Sequence, residues 1–184
     1  GKFHVEASGR VENVKIEGTP ASDVFTRRSF TPISGALGAL YTVTEGVKLG
    51  FTFSSTGRAP ALTELFARGG HDGPQTFETG DPNLKIERAN SLEASLRIRK
   101  GRFSFDGSIY STWFKNYIYG DLTGRLCDDD GVCAVGGDGT LTELFYRQQG
   151  AHFRGVEGEA HLELLKTDGG RLEFKLLGDY TRAT

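Results

Sequence analysis

The stretch SLEASLRIRKGRFSFDGSIY, residues 91–110, decides the fold because apolar and polar residues alternate on both sides of a short turn. The apolar positions are Leu92, Ala94, Leu96 and Ile98 before the turn, and Phe103, Phe105, Gly107 and Ile109 after it. Successive side chains of a β-strand point to opposite faces of its sheet, so each half has one apolar and one polar face. The pattern predicts two antiparallel strands joined by a tight hairpin.

The same alternation recurs along most of the chain. Further segments lie at residues 2–17, 30–44, 47–54, 156–164 and 172–178. The first slips register near Asn13, and the second is small and apolar on both faces. Five segments alternate regularly, namely residues 47–54, 92–98, 103–110, 156–164 and 172–178. In these five the apolar face carries no Lys, Arg, Asp or Glu. Seven strands are predicted, in an all-β, antiparallel, up-and-down arrangement.

The connections alternate between short and long. Short turns fall at residues 44–46, 99–102 and 167–170, and long connections at about 18–29, 58–84 and 119–143. Tight turns at one end and extended loops at the other are typical of outer-membrane barrels. Aromatic residues near strand ends suit the interfacial girdle of such a barrel; these are Trp113, Tyr117, Tyr119 and Tyr180. A soluble sheet would share the alternation, so the loops and aromatic residues favour the membrane.

The two faces of such a barrel have different surroundings. We expect the apolar face, which includes Leu49, Phe51, Leu96, Phe174 and Leu176, to contact lipid. The polar face, which includes Glu93, Asp106 and Glu159, would line the lumen.

Composition excludes several other classes of protein. The net charge is −2 and no basic stripe occurs, so no nucleic-acid partner is expected. The sequence contains no run of about 18 apolar residues, so no transmembrane helix is predicted. The chain starts without Met or a signal peptide, which implies a natural start upstream. Nucleophile-elbow, phosphate-loop and zinc-protease motifs are missing, so no enzyme is predicted.

The region between residues 57 and 88 carries a more specific signal. It contains GRAPALTELFARGGH at residues 57–71 and FETGDPNLKIE at residues 77–87. These halves resemble the mid-barrel signature of TonB-dependent receptors, in which Arg-x-Pro-x-x-x-Glu-Leu-Phe leaves one strand and Gly-(Asn/Asp)-Pro-x-Leu-x-x-Glu enters the next. The stretch FRGVEGE at residues 153–159 is similar to a further strand of that family.

The resemblance implies a partial segment of a transmembrane barrel of about 22 strands, closed around a plug domain. Residues 1–184 would form about a third of the barrel wall, with the plug domain and the C-terminal strands absent. It also implies a bacterial outer-membrane location in contact with membrane lipid. Energy would come from the TonB complex, acting through the absent N-terminal region.

A glycine-rich loop within the signature carries candidate metal ligands: His71, Asp72, Glu78 and Asp81. Imidazole and carboxylate ligands suit zinc and other transition metals. The zinc receptors that this chain loosely resembles have a Gly-x-His stretch before Thr-Phe-Glu-x-Gly-Asp, and residues 70–81 fit that outline. The chain departs from it at residues 72–74, where those relatives often have further His or small residues. The alternative is an exposed polar loop.

The segment Pro60–Ala67 predicts a short helical turn that caps the strand. Leu62, Leu65 and Phe66 would share one helical face and pack on neighbouring loops. A contact between Glu64 and substrate is the alternative interpretation.

Two cysteines, Cys127 and Cys133, flank an acidic stretch. A disulfide is expected in a protein that matures through an oxidising periplasm. Metal binding by Asp128, Asp129, Asp130 and Asp138 is the alternative. The residues Glu157, Glu159, His161 and Glu163 alternate along one face of a predicted strand. Alternate strand residues lie about 6.6 Å apart, too far for all four to bind one ion, so we interpret them as lining the lumen.

The predicted function is energised uptake of a scarce metal ion, siderophore or haem, with zinc favoured and no resident cofactor. One alternative is a passive outer-membrane barrel or an adhesion module without TonB coupling. Another is a soluble all-β ligand-binding domain.

Overall fold

Strands dominate the computed structural model, which describes residues 1–167 and 169–184. Within these residues there are twelve strands and one short helix. No helix in them is long and apolar enough to cross a membrane. The strands are β1 Phe3–Val11, β2 Val14–Gly18, β3 Thr26–Phe30, β4 Ile33–Thr44, β5 Val47–Arg58, β6 Arg68–His71, β7 Thr76–Thr79, β8 Glu87–Lys100, β9 Phe103–Cys127, β10 Cys133–Ala134, β11 Leu141–Thr167 and β12 Gly170–Ala183; the helix is α1 Leu62–Phe66.

Seven of these strands, β1, β4, β5, β8, β9, β11 and β12, pair in that order, and we call them the wall strands. Every pairing between them is antiparallel, and each alternating segment of the sequence contributes one wall strand, although residues 2–17 also form most of β2. The predicted all-β, up-and-down class is therefore confirmed. The turn expected at residues 167–170 includes Asp168, which lies outside the described residues.

The wall strands have one apolar face and one polar face. A row of cross-strand partners runs over the apolar face from Phe51 through Ala94 and Ile109 to Val156. Phe51 is 65 % exposed and Ile109 60 %. Water-soluble monomers rarely expose such a continuous apolar surface, so this face suits hydrocarbon.

Charged residues on the polar face are paired with each other. Arg97 and Asp106 are cross-strand partners, and Arg97 Nε lies 2.9 Å from Asp106 Oδ1. Lys175 Nζ lies 2.5 Å from Glu159 Oε1 in the neighbouring pair of strands. The division of charge between the two faces is the one that the sequence predicted.

The predicted connection at 119–143 is wrong in its extent, because β9 continues to Cys127 and β11 begins at Leu141. A β-bulge hides this continuation from the sequence pattern. Asn116 has a φ of 58°, and the register between β9 and β11 shifts beside it. The extra residue moves Tyr117 out of the expected girdle and onto Phe114 and Phe153, whose ring centroids lie 5.0 and 5.4 Å away.

The predicted connection at 18–29 also contains strand. Its ends belong to a separate hairpin of β2 and β3, which pair from Val14 with Phe30 to Gly18 with Thr26. The chain leaves β1 after Val11 and enters β2 at Val14, where the sequence slips register near Asn13.

Candidate functional site

The long connection between β5 and β8 folds onto the extended ends of β9 and β11. Its residues 68–79 form the β6–β7 hairpin, and β7 pairs in parallel with β11 from Thr142 to Phe145. The N–H of Thr142 also donates to the carbonyl of Gln75 over 2.9 Å. Main-chain hydrogen bonds therefore attach this hairpin to a wall strand.

Two of the four predicted metal ligands meet on this hairpin. His71 Nδ1 lies 3.0 Å from Glu78 Oε1. The His71 side chain is 63 % exposed, whereas that of Glu78 is only 11 % exposed. The imidazole therefore faces solvent while its carboxylate partner is held inside.

The Glu78 carboxylate accepts two further hydrogen bonds. Thr76 Oγ1 donates to Glu78 Oε1 over 3.0 Å, and the Tyr146 hydroxyl donates to Glu78 Oε2 over 3.0 Å. Burial alone would raise the pKa of Glu78, but the hydrogen bonds from His71, Thr76 and Tyr146 outweigh burial and lower it. Glu78 is thus an ionised carboxylate with fixed donors.

Tyr146, on β11, completes this cluster from the wall. Burial and its hydrogen bond to Glu78 raise the pKa of Tyr146 to about 12, so its hydroxyl remains a donor at neutral pH. Sequence reasoning missed this residue, because 68 positions separate it from Glu78.

The other two predicted ligands lie elsewhere in the loop. Asp72 begins the exposed turn between β6 and β7, and its carbonyl accepts the N–H of Gln75 at 3.3 Å. The Asp81 carboxylate accepts the backbone N–H of Asn83 at 2.8 Å. The structure brings no three of His71, Asp72, Glu78 and Asp81 within reach of one ion.

Arg58 joins the two halves of the signature. It donates to both oxygens of Glu87, over 3.1 and 3.2 Å, and to Glu64 Oε2 over 2.9 Å. Burial would lower the pKa of Arg58, but hydrogen bonds to Glu87 and Glu64 raise it, so the guanidinium stays charged. Glu87 Oε2 also accepts the N–H of Ile118 over 2.7 Å.

The alternative substrate role of Glu64 finds no support in this geometry. Its carboxylate binds Arg58 and accepts the N–H of Ala61 over 2.7 Å, which stabilises the start of α1. Its side chain is only 15 % exposed. Glu64 therefore acts in the folding of the loop.

A small apolar core lies beside these ion pairs. Its buried members are Phe30, Leu65, Phe66, Leu84 and Ile118. The prediction that Leu62 shares the packed face of α1 is wrong, because Leu62 is 56 % exposed. The helix has only five residues, and they present one packed turn.

Gly80 allows the second half of the signature to approach α1. A Cβ on Gly80 would lie 2.5 Å from the carbonyl carbon of Leu65. The N–H of Gly80 instead donates to the carbonyl of Ala67 over 2.8 Å. A side chain here would separate the two halves.

Cys127 and Cys133 are joined in a disulfide at the tip of the β9–β11 hairpin. Glu143 is close enough to form a cluster with them, but bonded sulfurs offer no thiolate for a metal. The Asp128 carboxylate accepts the N–H groups of Asp130 and Val132, at 3.1 and 2.8 Å. That part of the acidic stretch shapes a turn.

His161 lies on the polar face of β11. Its Nε2 contacts Glu159, which also contacts Lys175 on β12. These side chains form a chain of polar contacts along the polar face, as expected for a lumen lining.

In the described residues, seven wall strands combine an exposed apolar face, a charged face, short turns and long folded connections. This combination defines a segment of a transmembrane β-barrel. The sequence model described as "TonB dependent receptor-like, beta-barrel" matches residues 1–184, and the chain belongs to this family.

Solved structures share the fold. The chain is similar to the copper transporter OprC, with a TM-score of 0.72 and 15 % identity, over 99 % of this chain and 27 % of that one. It is also similar to the siderophore receptor PirA from Pseudomonas aeruginosa, with a TM-score of 0.59 and 14 % identity, over 98 % and 32 %. A third is a double mutant of the Serratia marcescens hemophore receptor HasR, in complex with its hemophore HasA and heme, with a TM-score of 0.53 and 16 % identity, over 86 % and 27 %.

The chain thus spans between 27 % and 32 % of the length of these structures. At such low identities the likeness establishes the fold alone.

Proposed function

We propose that this chain forms part of the barrel wall of a receptor that takes up a scarce nutrient across the bacterial outer membrane. The family match over residues 1–184 supports this proposal, and so does the separation of apolar and charged faces. Membership of the family further supports energy coupling through the TonB complex. In this proposal the receptor is a transporter and catalyses no reaction.

We propose a transition metal ion, with zinc first, or a small metal chelate as the cargo. The observation that carries this proposal is the hydrogen bond between His71 Nδ1 and Glu78 Oε1. A metal-binding histidine usually donates its second ring N–H to a carboxylate, which fixes its tautomer and orientation. His71 would then present Nε2 to the ion.

This geometry changes the role proposed for Glu78. Its carboxylate already accepts hydrogen bonds from His71, Thr76 and Tyr146, so it orients the imidazole and does not contact the ion. Asp72, exposed in the adjoining turn, is the second proposed ligand. Asp81 is engaged with Asn83 and is left out of the ligand set.

Two protein ligands make an open site, and other loops of the barrel would complete it. An open site suits transport, because the ion must be released inward. The structurally similar proteins are described as a copper transporter, a siderophore receptor and a hemophore receptor, so the shared fold does not choose the cargo. The choice of a metal rests on His71 and Glu78.

The test is uptake of radioactive zinc at limiting concentration by cells that carry the intact receptor. We expect His71→Ala to lower uptake by at least tenfold, since it removes the ligand itself. We expect Glu78→Gln to lower it less, since an amide oxygen can still accept the imidazole N–H. Surface expression is matched by labelling intact cells.

His4→Ala is the control variant. It removes another imidazole paired with a carboxylate, since His4 Nε2 lies 2.9 Å from Glu6 Oε1 near the opposite end of the wall. Uptake by this variant should equal that of the parent. Equal zinc uptake by the His71→Ala variant and the parent would remove the His71 loop from the mechanism, and the same assay with copper and with iron chelates would then identify the transported class.

A further inference from the structure

The apolar face of the wall ends in basic and aromatic residues on the side of the long connections. They are Arg88, Lys115, His152, Arg154 and Arg182, together with Trp113 and Tyr180. Cross-strand partners point to the same face. Arg154 is paired with Ser111 and Arg182, and His152 with Trp113, so these residues continue the row of Ile109 and Val156.

Arg154 and Arg182 are directly opposite each other on neighbouring strands. Like charges in this position destabilise a sheet unless an anion lies between them. Arg154 is flanked on both sides by wall strands, β9 and β12, and its partner on β9 is Ser111. The ion pairs of β11 in the described residues involve Glu143, Arg147, Glu159, His161 and Glu163, and none of them includes Arg154.

The polar face also carries two like charges on directly opposite residues, but there a carboxylate offsets them. Lys48 and Arg97 are also cross-strand partners with like charge. There, Asp106 lies 2.9 Å from Arg97 and supplies the negative charge. In the part of the chain that the structure describes, Asp106 thus offsets the charge of Arg97 on the polar face, whereas Arg154 has no such carboxylate partner on the apolar face.

The height of these cations fits the membrane surface. Arg182 lies ten residues beyond Leu172, the first apolar residue of β12. Ten residues span about 33 Å along a strand, or about 25 Å across the membrane at the usual tilt. Trp113 and Tyr180, 44 % and 65 % exposed, lie at the same level, as interfacial aromatic residues do.

We propose that Arg154 and Arg182 form a docking surface for the phosphate groups of an anionic glycolipid in the outer leaflet. This inference rests on the proposed outer-membrane location. Two guanidinium groups can bind one phosphate through paired hydrogen bonds, and the bound anion offsets their mutual repulsion. The exposed rings beside them contact the sugar and upper acyl region of the same lipid.

The other basic and aromatic residues at this end of the apolar face support this pair. His152 Nε2 is hydrogen-bonded to Ser111 Oγ at 2.7 Å, and its ring is stacked on Trp113 at 5.1 Å. Trp113 is thereby held against His152, in the row of cross-strand partners next to that of Arg154. Arg88 and Lys115 are a second like-charged cross-strand pair on this face.

The test measures binding of purified lipid A, with two phosphates, to the intact receptor in detergent micelles. The Arg154→Gln/Arg182→Gln variant should bind it about 30-fold more weakly, because each cation near a lipid surface contributes about fivefold. The Arg154→Lys/Arg182→Lys variant keeps the charge and should recover most of the affinity. Dephosphorylated lipid A should bind weakly and equally to all variants.

The Lys48→Gln/Arg97→Gln variant is the matched control, since it removes two cations from the polar face. Its lipid affinity should equal that of the parent. Equal affinity of the Arg154→Gln/Arg182→Gln variant and this control would overturn the proposal. Competition by inorganic phosphate at low millimolar concentration would also overturn it, in favour of a free-anion site. Folding is checked by heat-modifiable electrophoresis, and metal uptake is scored separately, so failure here is distinct from failure of the uptake proposal.

Discussion

Replacing Arg58 with Ala would leave two carboxylates of the signature without their counter-ion. The side chains of Glu87 and Glu64 are only 11 % and 15 % exposed, and both depend on this guanidinium. Removing one partner of a buried ion pair costs about 3–5 kcal/mol. Arg58 itself is 42 % exposed, so solvent screening reduces the expected cost to about 2–3 kcal/mol.

The cost falls on docking of the loop, because the wall strands keep their own hydrogen bonds. A loss of 2–3 kcal/mol corresponds to a rise of roughly 30- to 150-fold in the opened population of the loop. Hydrogen exchange followed by mass spectrometry on the intact receptor measures this rise. The amides to follow are Gly80 and Ile118, which donate to Ala67 and Glu87.

Arg27→Ala is the control, since Arg27 also has a carboxylate partner but both side chains are largely exposed. Arg27 Nε lies 3.0 Å from Glu17, and the two side chains are 72 % and 52 % exposed. Such a pair contributes less than about 1 kcal/mol. If Arg58→Ala and Arg27→Ala changed exchange at Gly80 and Ile118 equally, the proposed role of Arg58 would be refuted.

Two further predictions concern the core of the loop and the faces of the wall. Leu65→Ala should weaken docking of the loop by about 2–5 kcal/mol, since Leu65 is fully buried, while Leu62→Ala on the same helix should change it by less than about 1 kcal/mol; proteolysis of the intact receptor within the loop ranks the two. Phe51→Arg should destabilise the folded barrel by about 2–4 kcal/mol, while Thr52→Arg, on the opposite face, should be tolerated. Heat-modifiable electrophoresis reports the folded fraction, and equal losses for both substitutions would contradict the assignment of faces.

The sequence was sufficient to predict the wall but not its full height. Alternation is a local property, so it identified each wall strand wherever apolar residues faced lipid. Beyond the membrane both faces of β9 and β11 become mixed, and the bulge at Asn116 shifts the period. The pattern therefore ended near Tyr110, although β9 continues to Cys127.

The candidate site was only partly predictable for a different reason. His71 and Glu78 are close in sequence, and the pairing of β6 with β7 brings them together. Tyr146 reaches Glu78 through the parallel pairing of β7 with β11, between residues 66 positions apart such as Thr76 and Thr142. A contact between residues so far apart in the sequence produces no periodic pattern from which it could be predicted.

The structure separates the part of the signature that folds the loop from the part that is exposed to solvent. Arg58, Glu64 and Glu87 bind each other, and Leu65 and Leu84 are buried, so both ends of the connection are committed to docking. Between these ends, the β6–β7 hairpin presents His71 to solvent on strands held by β11. A binding group on a rigid support keeps its geometry better than one on a free loop. We therefore expect substitutions at the exposed positions of this hairpin, such as His71 and Asp72, to change the proposed cargo without loss of the fold, whereas the flanking signature residues support the fold.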